Sequence, residues 1–271
     1  MSRRVIYIVL DGLSDLVARE HMGYLLALTE ANIATHYTIA CELPGISRPL
    51  YECLLTGATP VESGVLHNQV VRLSNQTSLF DLARSQGKTT AAAAYHWVSE
   101  LYNNAPYDPV RDRITCAPSL PIQYGMFYHK DHYPDDHLFL DAEYLRRTYD
   151  PDLLLIHPMN IDDAGHKFAF DSKQYRNQAR MTDGILSNWL PSWLEQGYQI
   201  VITADHGMNN DFSHGGILPE ERQVPLFVMG EVFSHDKFAS PKQTQLCGLV
   251  ADILKLPHDK PNCRTMLKDV P

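Results

Sequence analysis

The sequence has few cysteines, no long apolar run and no excess of positive charge, and each shortage excludes a class of protein. The five cysteines are scattered and form no Cys-x-x-Cys pair, which argues against a disulfide framework and a cysteine-based zinc site. No run of about 18 apolar residues occurs, so we expect no membrane-spanning helix and no membrane partner. With 23 Lys and Arg against 32 Asp and Glu, the net charge of −9 disfavours a nucleic-acid polymer as a partner.

The composition is otherwise that of a globular protein with a substantial core. Apolar residues make up 44% of the 271 residues, and the sequence contains no internal repeats or low-complexity tracts. The apolar run at residues 5–10 is too short for a signal peptide and ends in Asp-Gly, so we expect a cytoplasmic protein. We predict one domain over residues 1–271. Assembly into a homo-oligomer is compatible with the sequence.

Apolar runs and amphipathic patterns alternate along the chain. The runs, which are typical of strands, cover residues 5–10, 35–41, 88–95, 152–157, 199–203 and 224–229. Helical patterns cover residues 21–32, 78–85, 138–147, 172–194 and 244–256, and we expect Pro191 to bend or end its helix. This alternation predicts an α/β fold, a three-layer sandwich with a mostly parallel central sheet and helices on both faces.

Residues 97–137 interrupt this alternation. The segment is rich in Tyr, Pro, His and Asp and shows no clear periodicity. Because long segments without regular elements often form binding loops, we expect a small cap or insert at about residues 97–137. Its histidines, His129, His132 and His137, could bind a metal ion, but aromatic packing in a surface lobe is the favoured interpretation.

Metal-ligand residue types follow three of the predicted strands. They are Asp11, Asp162, His166, Asp205, His206 and, slightly further along, His214. Asp11 precedes a glycine and alone would fit a simple turn. However, the carboxyl ends of parallel strands share one edge of a sheet, so the six residues together predict a site there for two divalent ions. The mixture of imidazole and carboxylate suits Zn²⁺ best, with Mn²⁺ or Mg²⁺ as alternatives.

Ser47 lies at or near the start of another predicted helix. Pro49 and Gly57 are the expected start and stop signals for that helix. A serine in this position commonly caps the helix. The alternative is a nucleophile, because the amino end of a helix also stabilises an oxyanion or a phosphate.

Taken in order, these motifs resemble those of the alkaline phosphatase superfamily, and in particular its type I phosphodiesterase/nucleotide pyrophosphatase branch. The resemblance runs from residue 5 to about residue 230. The motifs that carry it are Asp11-Gly12, Ser47-x-Pro49 followed by Leu55-Thr56-Gly57, Asp162-x-x-x-His166, Asp205-His206-Gly207-Met208 and His214-Gly215-Gly216.

The resemblance implies a role for each residue of the predicted site. Asp162, His166 and His214 would hold one metal ion, and Asp11, Asp205 and His206 the other. Ser47 would contact the second metal ion and attack phosphorus, giving a phosphoserine intermediate. Asn68 would donate a hydrogen bond to a phosphate oxygen.

One position departs from the phosphodiesterase branch itself, and another separates this sequence from the sulfatases. The residue after the nucleophile is often an aromatic that stacks on a nucleobase, whereas here it is Arg48, which could clamp an additional anionic oxygen of the substrate. Sulfatases carry an oxidisable residue where this chain has Ile46, so the resemblance does not favour a sulfatase.

The resemblance therefore implies metal-dependent hydrolysis of phosphate esters, of the phosphodiesterase/nucleotide pyrophosphatase type. We expect the partner to be a small-molecule phosphate ester or phosphonate substrate. A phosphomonoesterase, a phosphonate hydrolase and a phosphomutase remain alternatives on the same site. A non-catalytic metal-binding module, or an α/β protein with these residues in turns by chance, would also fit parts of the pattern.

Overall fold

Eight strands form one central sheet in the computed structural model, which describes residues 3–268. The termini of the predicted domain, residues 1–2 and 269–271, lie outside the described residues. The strands are β1 (Arg4–Val9), β2 (Ala34–Ala40), β3 (Thr90–Tyr95), β4 (Ile114–Cys116), β5 (Tyr124–Tyr128), β6 (Leu153–Ile156), β7 (Tyr198–Thr203) and β8 (Gln223–Met229).

The strand order is β2-β8-β7-β1-β6-β3-β5-β4. The five strands from β7 to β5 are parallel to one another, whereas β8 is antiparallel to both β7 and β2, and β4 is antiparallel to β5. The predicted mostly parallel sheet is therefore confirmed. Its carboxyl edge collects the residues that follow β7, β1, β6, β3 and β5.

Helices cover both faces of the sheet. Those with α-helical geometry are α1 (Asp15–His21), α2 (Gly23–Glu30), α3 (Ser47–Thr56), α4 (Pro60–Ser63), α5 (Leu79–Ser85), α6 (His96–Tyr102), α7 (Pro109–Asp112), α8 (Asp135–Tyr149), α9 (Asn160–Phe168), α10 (Lys173–Glu195), α11 (Pro219–Arg222) and α12 (Leu246–Ile253). Short 3₁₀ turns occur at Gln243–Gln245 and Arg264–Met266. One layer groups α1, α2, α8, α9 and α10, and the other groups α3, α5 and α12.

The central strands are apolar along their whole length because both faces of the sheet are covered. All residues of β3, β6 and β7 are buried, as are all of β1 except Arg4. Polar and apolar residues do not alternate in such strands, since neither side meets water. The rigid sheet then fixes where the loops at its carboxyl edge begin.

Residues 97–137 are more regular than their composition predicts. They include α7, β4, β5 and most of α6, and β5 and β4 extend the central sheet beyond β3. The expectation of an irregular segment is therefore wrong. The reason is that β4 and β5 have only three and five residues, too few to give a clear periodic signal, although the aromatic run of β5 suits a strand.

Two of the predicted helices have different outcomes. Helix α10 agrees with the predicted residues 172–194 to within one residue at each end, and it continues through Pro191 to Glu195, so the proline does not end it. The helix expected over residues 21–32 corresponds to α2, whereas α1, which ends just before Met22, was not predicted. In the described part of the chain, no helix combines the length and the apolar character needed to cross a bilayer.

Candidate active site

The parallel register brings Asp11 and Asp205 to the same level of the sheet. Val9 of β1 pairs with Thr203 of β7, and each aspartate follows two residues later. The backbone N–H of Gly12 donates to Oδ1 of Asp205 over 3.1 Å. Asp162 is reached from β6 through the start of α9, so three neighbouring strands contribute carboxylates to one place.

Asp11, Asp205 and His206 form the first group that could hold a metal ion, and all three residues are buried. Nε2 of His206 lies 3.6 Å from Oδ1 of Asp11 and 3.3 Å from Oδ2 of Asp205. This is the set that the resemblance assigns to one ion, and the fold brings all three members together.

A second group contains Asp162, His206 and His214. His166 adjoins it, with Nε2 lying 3.4 Å from Oδ2 of Asp162 and 3.2 Å from Nε2 of His214. The fold thus also brings together the predicted set of Asp162, His166 and His214. In addition, the ring of His206 stacks on that of His214 at 3.6 Å between centroids, so His206 lies between the two groups.

The three histidine rings of the site are each oriented by a hydrogen bond to a backbone carbonyl. Nδ1 of each ring lies 2.8 Å from a backbone carbonyl oxygen: Phe212 for His166, Gly207 for His206 and Gly45 for His214. A carbonyl can only accept, so Nδ1 carries the proton in a neutral ring and Nε2 keeps its lone pair. Each Nε2 is therefore available as a metal ligand, with the ring held by its other nitrogen.

Three buried carboxylate oxygens of the site have no hydrogen-bond partner within residues 3–268. They are Oδ1 of Asp11, Oδ1 of Asp162 and Oδ2 of Asp205. Unpaired charged oxygens are costly to bury unless a cation compensates them. Together with three imidazole lone pairs, they form a donor set that fits two divalent cations.

The pKa values of these groups have the same physical cause. Burial raises the pKa of Asp11 to about 7. Burial, followed by the charge of Asp11, raises the pKa values of Asp162 and Asp205 well above their usual range. Burial also lowers the pKa of His214 to about 4 and holds that of His206 well below its usual range. The protein alone thus disfavours the charge of the three carboxylates, which a bound cation would reverse, and it keeps these two imidazoles in the neutral form that binds metal ions.

Ser47 is the first residue of α3, and Ile46 is the N-cap residue. Because Ile46 has no polar side chain, no side-chain capping hydrogen bond occurs at this end of the helix. Oγ of Ser47 lies 3.1 Å from Nε2 of His206, beside the first group of ligands. The Ser47 hydroxyl therefore faces the ligand cluster, and its role as a nucleophile stays a prediction.

Asn68 adjoins Ser47, whereas Arg48 does not face the site. Oδ1 of Asn68 accepts the backbone N–H of Arg48 over 3.0 Å, which holds the Asn68 amide at the start of α3. The guanidinium of Arg48 is buried, donates to Glu100 and to the carbonyl of Val70, and lies over Trp97. The prediction that Arg48 clamps a substrate oxygen is therefore wrong, because its charge is already paired inside the protein.

The histidines of residues 97–137 were given two interpretations, metal binding and aromatic packing in a surface lobe. Within residues 3–268, the groups that could hold a metal ion do not include His129, His132 or His137. Aromatic packing does occur in this segment, since Tyr128 stacks on Tyr133 and Tyr124 stacks on Tyr149.

Two residues beside Asp11 were missed from the sequence. The Tyr51 hydroxyl and Nε2 of His157 both contact Oδ2 of Asp11, the latter at 3.1 Å. The sequence position of each residue could have indicated it. Tyr51 follows Ser47 by four residues on α3 and therefore lies on the same side of the helix. His157 directly follows β6, at the edge where the ligands collect.

Sequence comparison places most of the chain in one family. Residues 5–217 match the profile of the type I phosphodiesterase / nucleotide pyrophosphatase family. The GPI ethanolamine phosphate transferase 2 of Debaryomyces hansenii is 23% identical over 98% of this chain. The ectonucleotide pyrophosphatase/phosphodiesterase 2 of Saccharomyces cerevisiae is 23% identical over 85% of it. The chain spans 32% of the length of the first relative and 50% of the second.

Solved structures agree on the fold. Murine ectonucleotide pyrophosphatase / phosphodiesterase 5 superposes with a TM-score of 0.76 at 13% identity, covering 98% of this chain and 100% of that one. A putative sulfatase from Bacteroides thetaiotaomicron gives 0.68 at 14% identity, covering 98% and 75%. At such identities the likeness concerns the architecture alone, which is that of the alkaline phosphatase superfamily. By its sequence, the chain belongs to the type I phosphodiesterase / nucleotide pyrophosphatase family.

Proposed function

We propose that this chain is a metal-dependent enzyme that cleaves a small-molecule phosphodiester through a phosphoserine at Ser47. The observation that carries the proposal is the position of the Ser47 hydroxyl, 3.1 Å from Nε2 of His206 and at the amino end of α3. A hydroxyl beside a cation site and a helix amino end has the surroundings of an activated nucleophile.

Two divalent cations would be held by the residues of the cluster. Asp11, Asp205 and His206, with Ser47, would hold one, and Asp162, His166 and His214 the other. Three imidazoles among the donors favour Zn²⁺, with Mn²⁺ and Mg²⁺ as alternatives. When bound, the cations supply positive charge that favours the alkoxide form of serine and stabilises the phosphate oxygens.

The residues of the chain would perform the bond changes as follows. Oγ of Ser47 bonds to phosphorus, the bond from phosphorus to the leaving alkoxide breaks, and the hydroxyl proton passes to solvent. The Asn68 amide, held at the start of α3, donates to a non-bridging oxygen. The released alkoxide takes a proton from solvent. A second hydroxyl then bonds to phosphorus and gives up its proton to solvent, the bond between phosphorus and Oγ breaks, and Oγ of Ser47 regains a proton.

The identity of that second hydroxyl decides between hydrolysis and transfer. Water gives a hydrolase, as expected from the sequence, whereas an alcohol gives a phosphate transferase, as the name of the Debaryomyces hansenii relative states for that protein. Diesters are favoured over monoesters because Arg48, the residue expected to bind an extra anionic oxygen, is buried in an ion pair with Glu100. Phosphonate hydrolysis and phosphomutase activity are the remaining alternatives.

Asp131 favours a diester that carries a positive charge. Its exposed carboxylate accepts from the Tyr95 hydroxyl over 2.9 Å, and Asn160, the first residue of α9, donates to its carbonyl. Burial is the largest cause of the raised pKa of Asp11, and the charge of Asp131 adds to it. Since no cationic side chain within residues 3–268 forms an ion pair with Asp131, an alkylammonium group of a substrate could occupy that position.

The cytoplasmic location predicted from the sequence remains part of the proposal. All five cysteines are free, and unpaired cysteines are typical of proteins in reducing compartments.

A panel of chromogenic esters tests the proposed activity. The purified protein should retain two transition-metal ions and should release nitrophenol from 4-nitrophenyl diesters faster than from 4-nitrophenyl phosphate. Ser47→Ala should lower kcat by about a thousandfold or more and leave the metal content unchanged. A metal-loaded protein that is inert on every ester, or full activity of Ser47→Ala, would overturn the proposal.

The charge preference has its own test. The substrates are 4-nitrophenyl phosphocholine and its neutral isostere, 4-nitrophenyl 3,3-dimethylbutyl phosphate. Asp131→Asn should lower kcat/KM for the cationic ester about tenfold and leave the neutral ester unchanged. The control is Asp136→Asn, which removes a neighbouring exposed carboxylate. Equal effects on the two esters would contradict a role for Asp131 in selecting charge.

A further inference from the structure

Asp11 is held by two side chains that do not belong to the proposed ligand set. Oδ2 of Asp11 accepts hydrogen bonds from the Tyr51 hydroxyl and from Nε2 of His157. Oδ1 has no partner within residues 3–268 and is the oxygen that lies closer to His206. The two oxygens of one carboxylate are thus separated into a fixed one and a free one.

The two donors come from different parts of the fold and support each other. Tyr51 is on α3 and His157 follows β6, whereas Asp11 follows β1. The rings of Tyr51 and His157 meet edge to face with centroids 4.5 Å apart, and both side chains are buried. Neither ring can turn away without displacing the other, so the two donors reach Asp11 as a pair.

His157 retains a polar atom for which the fold provides no partner. Its Nδ1 is buried and unpaired within the described residues, while Nε2 is bonded to Asp11. An unpaired buried nitrogen destabilises the folded chain, and an apolar residue of similar volume would avoid that cost. The histidine is therefore better explained by the contact of Nε2 with Asp11 than by packing.

We infer that Tyr51 and His157 are positioning residues that present Asp11 to a metal ion through Oδ1 alone. This inference rests on the proposed function only in requiring that Asp11 binds a metal ion. With Oδ2 occupied by two donors, the carboxylate cannot rotate to offer both oxygens. Because Tyr51 and Ser47 lie on the same side of α3, the hydrogen bond also fixes the distance between the nucleophile and the ligand.

The alternative is that the side chains of Tyr51 and His157 only fill space in the core. One matched pair of variants distinguishes packing from positioning of Asp11. Tyr51→Phe removes the hydroxyl that donates to Asp11. Tyr128→Phe removes an equally buried hydroxyl that donates to the carbonyl of His157 over 2.7 Å and does not touch Asp11. Both variants keep the ring, so packing changes little in either.

The measurement is the affinity of the metal-free protein for Zn²⁺, by competition with a chromophoric chelator. We expect Tyr51→Phe to weaken one of the two sites about 10- to 100-fold, with Tyr128→Phe within about twofold of the wild type. His157→Leu should weaken the same site, and His157→Gln, which keeps an N–H donor, should restore part of the affinity. Circular dichroism of each metal-free variant establishes that it is folded.

The possible outcomes separate this inference from the proposed function. If the wild type binds no Zn²⁺, the result contradicts the proposed zinc site, and with it the positioning role of Tyr51 and His157 at that site. If the wild type binds two ions and Tyr51→Phe binds them as tightly as Tyr128→Phe does, the positioning role is overturned and the proposed function stands. If His157→Gln and His157→Leu lose affinity equally, the donor at Nε2 is not what matters, which also contradicts the inference.

Discussion

The backbone of Gly12 passes directly against Asp162, so that a Cβ atom at residue 12 would lie 2.7 Å from both Cα and Cβ of Asp162. Gly12 also has a positive φ of 73°, a conformation that other residues adopt at a cost. Glycine is thus required here for two independent reasons. The approach joins the loop after β1 to helix α9, and with it the two groups of proposed ligands.

Gly12→Ala should therefore destabilise the protein by about 2 kcal/mol or more, from the sum of backbone strain and the forced separation from Asp162. The matched control is Gly184→Ala, in the interior of α10, where nothing lies within 4 Å of the added Cβ. That change should stabilise by about 0.5–1 kcal/mol. Urea unfolding of both variants measures the difference, and equal effects would contradict the predicted contact.

The buried ion pair of Arg48 and Glu100 predicts that loss of Arg48 strongly destabilises the protein and that a second substitution at Glu100 restores much of the stability. Arg48→Met leaves the Glu100 carboxylate with the backbone N–H of Tyr107 and no charge partner, which should cost about 3–5 kcal/mol. Adding Glu100→Gln should recover much of this loss, because the uncompensated charge is gone. Arg176→Met, which removes an exposed ion pair with Asp171, should cost less than about 1 kcal/mol. Additive losses in the Arg48 and Glu100 double variant would contradict the buried-pair interpretation.

Removal of divalent ions should lower the thermal unfolding midpoint, because the buried carboxylates then repel each other uncompensated. At a free ion concentration 100 times Kd, a bound ion stabilises the fold by about 2.7 kcal/mol. Scanning calorimetry with chelator, and after adding back Zn²⁺, Mn²⁺ or Mg²⁺, measures this. A variant with Asp162→Asn and Asp205→Asn should show no shift with chelator. An unfolding midpoint of the wild type that does not change with chelator would contradict stabilisation of the fold by bound cations.

Glu143 predicts a pH dependence far from the site. Burial alone would raise its pKa, but hydrogen bonds from Arg146, Trp193 and Arg147 outweigh burial and lower the pKa to about 2. Because the folded pKa is below the unfolded value, this carboxylate stabilises the protein fully above about pH 4.5 and loses that effect as the pH falls towards 2.

The Glu143→Gln variant tests this. At pH 7 its free energy of unfolding should be about 2 kcal/mol below that of the wild type. The difference should shrink steadily between pH 5 and pH 3, as measured by urea unfolding. Glu30→Gln, at an exposed helix end, serves as the control with no comparable change. A difference that stays constant with pH would show that the Glu143 charge is not responsible.

The sequence predicts best where one physical constraint dominates. Strands buried on both faces must be apolar throughout, so β1, β6 and β7 stand out, and a polar residue within two positions of the end of each is conspicuous. Parallel pairing then requires Asp11, Asp162 and Asp205 to meet, because their strands share a carboxyl edge. The general position of the site therefore follows from local patterns and the topology they allow.

Side-chain direction and short elements were less predictable. Arg48 is next to Ser47 in sequence, but consecutive residues on a helix point about 100° apart, and Arg48 turns to Glu100 instead of the site. The contact between His157 and Asp11 joins residues 146 positions apart, and no local pattern encodes it. Strand β4 has three residues, fewer than a period-two pattern needs.

Two histidine rings of the site are held by loops other than their own. The carbonyl of Gly45, in the loop that leads to Ser47, fixes the ring of His214. The carbonyl of Phe212, in the loop that carries His214, fixes the ring of His166. An insertion or deletion in one of these loops would therefore misalign a ring supplied by another. We therefore expect the lengths of these segments to be tolerant of change only together, and insertions to be accepted more readily in turns elsewhere on the molecule.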